Sequence, residues 1–158
     1  MILDERTEFA DAVALNTGAA GTYNIGDVID THVGSLNTLI NQGNGQPLYL
    51  VISVDTSIIT GGTAGTVQFR LVSDAVATPD TSTATVHYTS KAFVTDDDAL
   101  NELDAGAAAV VVALPHGNYE RYLGIQQITG TTAITAGKVN AFLTLDPSAW
   151  RAYADNVS

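Results

Sequence analysis

The chain has 158 residues and a formal net charge of −11, with six Lys and Arg against seventeen Asp and Glu. Its few cations are scattered, which excludes the clustered basic surface that nucleic acid or an anionic membrane would need. There is no cysteine, so a disulfide framework, a thiol nucleophile and a thiolate metal site are excluded as well. The length suits one domain, 1–158, able to bury roughly 70% of its unfolded surface without a metal or cross-link. Charged residues are 15% of the chain, below the usual quarter or so. Thr, Ala, Val and Gly take their place, a mixture that favours strands and turns over surface helices. The opening Met1-Ile-Leu-Asp-Glu-Arg lacks the basic stretch and apolar core of a secretory leader. The apolar run 107–114 is too short to cross a bilayer. A soluble protein made in the cytoplasm is expected.

Residues 5–15 have apolar positions that fit neither a helical nor a strand period, and we read 1–16 as an extended N-terminal arm. The glycine- and asparagine-rich stretch 41–47 marks a turn. Residues 48–52 are apolar on both faces, as in a strand covered on both sides by core or by a subunit contact. Gly61, Gly62 and Gly65 separate this strand from Thr66-Val-Gln-Phe-Arg-Leu, where Val67, Phe69 and Leu71 share one face. In Thr85-Val-His-Tyr-Thr the same alternation turns Val86 and Tyr88 inward. The acidic stretch 96–106 reads as a short turn with an aspartate at its start and glycine at its end. Residues 108–114 form a second run apolar on both faces, and Pro115-His-Gly-Asn118 is short enough to close a hairpin. Tyr119-Glu-Arg-Tyr-Leu reads as a strand, followed by a polar connection over 130–137. Val139, Ala141, Leu143 and Leu145 alternate in the last strand, and 147–158 is a C-terminal tail. Strands and turns at this spacing predict an all-β sandwich or jelly roll.

No constellation of reactive residues stands out. His32, His87 and His116 have none of the spacings that let one element offer two metal ligands. Asp96, Asp97, Asp98, Glu102 and Asp104 lack the alternating oxygens and bend glycine of a calcium loop. Gly-x-Ser-x-Gly is absent, and Gly61-Gly-Thr-Ala-Gly65 has no Lys-Ser/Thr ending for a phosphate loop. Glu120 and Arg121 should point to opposite faces of their strand. Neither catalysis nor a cofactor is expected. The candidate interface residues are Leu3 and Phe9 in the arm, Tyr119 and Tyr122, and Trp150 and Tyr153 in the tail. Paired tyrosines could also serve as a sugar platform, and two large aromatics in a tail must pack on this subunit or a neighbour.

Taken in order, several stretches resemble the capsid cement (decoration) proteins of short-tailed bacteriophages. They are Phe9-Ala-Asp-Ala, Ile25-Gly-Asp-Val-Ile-Asp30, Gly45-Gln-Pro-Leu-Tyr-Leu-Val, Val67-Gln-Phe-Arg-Leu and Ala113-Leu-Pro-His-Gly. Tyr119-Glu-Arg-Tyr-Leu-Gly124, Thr135-Ala-Gly-Lys-Val and Leu143-Thr-Leu-Asp146 complete the set, which spans nearly the whole chain. It departs at Gly106, followed by Ala107 where the resemblance implies an aromatic. The resemblance implies a jelly-roll β-sandwich with extended terminal arms and a place on the outer surface of the virion. It further implies a major capsid protein as partner, self-association as a homodimer or else a trimer, and stabilisation of the expanded shell across capsomer seams. A carbohydrate- or receptor-binding virion module and a head-completion or tail component are the alternatives.

Overall fold

The computed structural model describes residues 5–32, 47–61, 65–95 and 101–150. They form two antiparallel sheets laid face to face, an all-β sandwich. The strands are β1 (Glu8–Ala14), β2 (Gly21–Asp30), β3 (Tyr49–Thr60), β4 (Thr66–Asp74), β5 (Thr85–Thr89), β6 (Phe93–Val94), β7 (Ala108–Ala113), β8 (Tyr122–Gly130) and β9 (Ile134–Thr144). The first sheet runs β1-β9-β3-β7; the second runs β2-β8-β4-β5, with β6 also on β4. From β1 to β4, and again from β6 to β9, each connection carries the chain to the opposite sheet.

The alternation in β4 has the expected outcome: Val67, Phe69 and Leu71 are fully buried, facing Leu50 and Ile52 of β3 across the core. Each such side chain contributes about 1.5–3 kcal/mol by leaving water. Residues 49–54 of β3 lie between β9 and β7 and are buried on both faces at Leu50, Val51 and Ile52. β7 is apolar on both faces as expected, but within this chain only one of them meets the core. It is an outer strand, with Val110 turned into the core and Val111 turned out. Leu145 lies beyond the end of β9 and is 54% exposed.

Four other expectations are corrected. Residues 8–14 of the presumed arm are instead β1, paired with β9, and Phe9 is 1% exposed in the core. Pro115–Asn118 closes no hairpin, because β7 and β8 belong to different sheets and the loop crosses between them. Glu120 and Arg121 precede β8 rather than lie within it. The polar connection after Gly130 is only three residues long, and Gly137 lies inside β9, where a Cβ would come within 2.9 Å of Ile58.

Loops seal the sandwich. One side closes where β1 meets β2: Gly26, at φ +61°, brings its backbone so close that a Cβ would stand 2.0 Å from the Phe9 carbonyl oxygen. Gln127 of β8, fully buried, works like a short piece of backbone there. Its amide oxygen accepts the Asn16 N–H at 2.9 Å, and its amide nitrogen donates to the Asn16 carbonyl at 2.9 Å. On the other side, residues 101–107 run along β3 beyond the end of β7. The Ile58 N–H donates to the Leu103 carbonyl, and the Leu103 side chain is fully buried as a plug. The expected turn over 96–106 is seen at its end, where Ala107 N–H donates to Asp104 and Gly106 adopts φ +86°; residues 96–100 lie outside the described ones.

Candidate interaction surfaces

A cluster of polar side chains sits where the 114–121 connection crosses onto the second sheet. Its origin is a bulge in β5. Leu71 pairs with Tyr88 and Val72 with Val86, so His87 is the extra residue. The bulge swings the β5 side chains out of simple alternation. Val86, expected inward, is 46% exposed. His87 leaves the polar face and stacks on Tyr119, with ring centroids 4.0 Å apart. His87 Nε2 lies 2.7 Å from Ser73 Oγ, which also accepts the Glu120 N–H at 3.0 Å. The Glu120 carboxylate accepts from Thr85 Oγ1 at 2.7 Å, and the Tyr119 hydroxyl donates to the Pro115 carbonyl at 2.5 Å. Burial pushes the Tyr119 hydroxyl up to about 12, so it stays a neutral donor.

A serine beside a histidine has the outline of a nucleophile and its base. Ser73, however, is 0% exposed, and both its hydrogen bonds go to groups that hold the connection in place. The pair fastens the crossing loop to β4 and β5. Among the described residues, no three His, Asp or Glu side chains gather as a metal site.

A second fastening sits one residue further on. Arg121 grips the Asp30 carboxylate with two bonds, Nε to Oδ1 at 3.0 Å and Nη2 to Oδ2 at 2.7 Å, and its guanidinium lies over the Tyr122 ring at 4.8 Å. The Arg121 hydrogen bond, helped by the His32 N–H, lowers the Asp30 carboxyl to about 2. Lys91 pairs with Glu102, whose other oxygen accepts the Val94 N–H at 2.8 Å. Residues 75–84 fold over the outer face of the second sheet. Asp74 accepts the N–H groups of Val76 and Asp80, while Asp80 caps Ser82 and Thr83. Buried Pro79 comes down on Gly124, where a Cβ would stand 3.1 Å from its ring, and Asn24 and Gln126 tie the loop to β2 and β8.

His87 gives this corner a pH response. Desolvation lowers its pKa from 6.5, with Glu120 opposing. The fold therefore favours the neutral ring, so the stabilisation is complete above the unfolded value of 6.5 and is lost as pH falls below it. The urea midpoint should drop between pH 7.5 and pH 5.5, and His87→Phe, which keeps a stacking ring but cannot titrate, should flatten that dependence. An equal drop in the variant would place the effect elsewhere. The carboxylates act lower, between about 4 and about 2, where Asp30 and Asp80 take up protons.

Of the residues expected at an interface, Phe9 is in the core and is unavailable as a surface anchor. Tyr119 and Tyr122 are both at the crossing, but one is stacked on His87 and the other under Arg121, so they build no shared platform. Trp150 ends a 3-10 turn, Pro147–Trp150, after β9; Leu3 and Tyr153 lie outside the described residues. The outer face of the first sheet carries an apolar row, in which Val51 and Val111 come from the two runs expected to be apolar on both faces and Phe142 of β9 is the addition. Phe142 pairs with Val51, and Val51 with Val111. Phe142 and Val51 are buried although their chain neighbours Ala141, Leu143, Leu50 and Ile52 are the ones that face the other sheet.

A family model described as Bbp16 matches residues 9–143, from the start of β1 to the end of β9. No curated protein matches the chain significantly.

Proposed function

This chain belongs to the Bbp16 family, and from that premise we infer that it is a structural protein of a tailed-phage virion. In this reading it is a capsid cement protein, made in the host cytoplasm and added to the outer surface of the shell. There it binds the major capsid protein and holds the expanded lattice together across capsomer seams. The observation that carries the reading is coincidence of span: the family match, over residues 9–143, covers all but the last of the ordered stretches that resemble cement proteins.

The fold supports it. A first sheet ordered β1-β9-β3-β7 opposite a second ordered β2-β8-β4-β5 suits the jelly-roll reading, in which two Greek keys fold into one sandwich. The polar clusters support it too, since Ser73, His87, Asp30 and Arg121 are spent on fastening loops. A protein of this kind needs a rigid body that presents surfaces, and no chemistry. Weak contacts become strong when many copies engage one lattice. A glycan-binding role draws little from Tyr119 and Tyr122, whose rings are already occupied.

Co-sedimentation with expanded, cement-free capsids tests the proposal. Saturable binding at hundreds of copies per shell is expected, with capsids surviving heating that ruptures bare shells. Absence of binding, or saturation at about a dozen copies as for a connector, would overturn the cement role.

A further inference from the structure

Arg70 is a cation that the chain leaves without an anion. Its strand neighbours Phe69 and Leu71 are in the core, so Arg70 points from the middle of β4 to the outer face of the second sheet, where it is half-buried. Register sets it in a row across four strands. Thr89 of β5 stands on one side, and Gln126 of β8, then Asn24 of β2, on the other. Lys91 and Arg121 are each matched with a carboxylate. Among the described residues Arg70 has neither an ion pair nor a hydrogen bond, and its Nε is buried with no acceptor.

In a chain with seventeen Asp and Glu, this isolation comes from how the surroundings are used. Asp74 and Asp80, the acids that anchor the 75–84 loop beside the row, are turned to its own backbone. Asp74 accepts from the N–H groups of Val76 and Asp80, and Asp80 from those of Ser82 and Thr83. Gln126 gives its amide hydrogens to Asn24 and to the Asp80 carbonyl. The next row, Gln68, Ile128 and Thr22, carries no charge. A half-buried guanidinium has lost part of its water, and a covered N–H without an acceptor costs stability rather than adding it. The packing that covers Nε does fix the stem. It aims the fork before any partner arrives, which lowers the entropy lost on capture.

We propose that the outer face of the second sheet docks on the capsid shell, and that Arg70 there receives a carboxylate presented by the major capsid protein. The two Nη groups take the carboxylate oxygens end-on, the planar match that makes arginine an interface anchor. Thr22, Gln68 and Thr89 form an uncharged, hydrogen-bonding rim. A free acidic peptide is a poor occupant, because the net charge of −11 repels it at long range. One carboxylate set in a neutral or basic protein surface escapes that repulsion. The identity of the partner rests on the cement reading above; the face and the charge it receives go beyond it.

Titration of cement-free capsids with matched variants tests the pairing. Arg70→Gln should weaken binding at least tenfold, and Arg70→Glu further still. Lys138→Glu, at an exposed position of β9 in the first sheet, makes the same change in net charge as Arg70→Glu and should bind like the wild type. Because Arg70 has no partner within its own chain, Arg70→Gln should leave the urea midpoint unchanged or raised, whereas loss of a structural arginine would lower it. Three results would each overturn the inference and leave the cement reading standing: wild-type affinity in Arg70→Gln, equal weakening by Lys138→Glu and Arg70→Glu, or a lowered midpoint in Arg70→Gln. Failure of the wild type itself to bind capsids would overturn both.

Discussion

Phe9→Ala is expected to destabilise the protein by about 3–5 kcal/mol, the range for deleting a buried aromatic ring. The ring is in the core beneath the pairing of β1 with β9, so its removal forfeits transfer free energy and leaves a cavity that paired strands cannot collapse to fill. Set against a total stability of about 5–15 kcal/mol for a domain of this class, that loss would lower the urea midpoint steeply. The same substitution in a peripheral arm would leave the midpoint in place. A shift under about 1 kcal/mol would mean that β1 detaches from the sandwich at little cost, and the arm reading of 1–16 would return.

Gly26→Ala is expected to cost about 2–5 kcal/mol, although it adds a single methyl group. Two effects combine. Holding a residue with a side chain at φ +61° costs about 1–2 kcal/mol. The new Cβ also falls 2.0 Å from the Phe9 carbonyl oxygen, a backbone atom with no rotamer to escape into, and relieving that overlap by moving a strand costs about 1–3 kcal/mol more. Gly106→Ala separates the two effects. Gly106 has φ +86° but nothing within 4 Å of an added Cβ, so it should lose only the conformational part, about 1–2 kcal/mol. Equal losses in chemical denaturation would show that the β1–β2 seam yields without penalty.

Periodicity revealed the strands that have one wet and one dry face, and missed those held by something other than a hydrophobic stripe. β4 was legible because Val67, Phe69 and Leu71 alternate with Gln68 and Arg70. β1 was not: register shifts between Glu8 and Ala10 and between Ala10 and Val13, with Ala12 at φ 48°, break the alternation that a regular edge strand would show. β2 hides for a related reason, since its register break at Gly26 and Asp27 looks like a turn when read alone. Gln126 and Gln127 could not be assigned to the interior from residue type. Their burial depends on Asn16, Asn24 and Asp80, which lie far away in sequence. At the crossing loop, Pro115-His-Gly-Asn118 has the chemistry of a tight turn, but turn chemistry is silent about which sheet the next strand joins. Ser73 and His87 are likewise ordinary strand residues until the bulge brings them together.

The pairing of the first strand with the last sets when this protein can become itself. β1 leaves the ribosome early, yet its partner β9 begins at Ile134 and the Ala12 N–H waits for the side chain of Asn140. β3 waits for the same strand, which fills the gap between it and β1. Until β9 emerges, Leu50, Val51 and Ile52 therefore lack one of the two strands that flank them. Folding must wait for β9 and close many long loops at once, which places it on the slow, millisecond-to-second scale of non-local β topologies. The surplus of carboxylates then acts in time as well as in space, keeping unfinished nascent chains apart in a crowded cell until the last strand arrives.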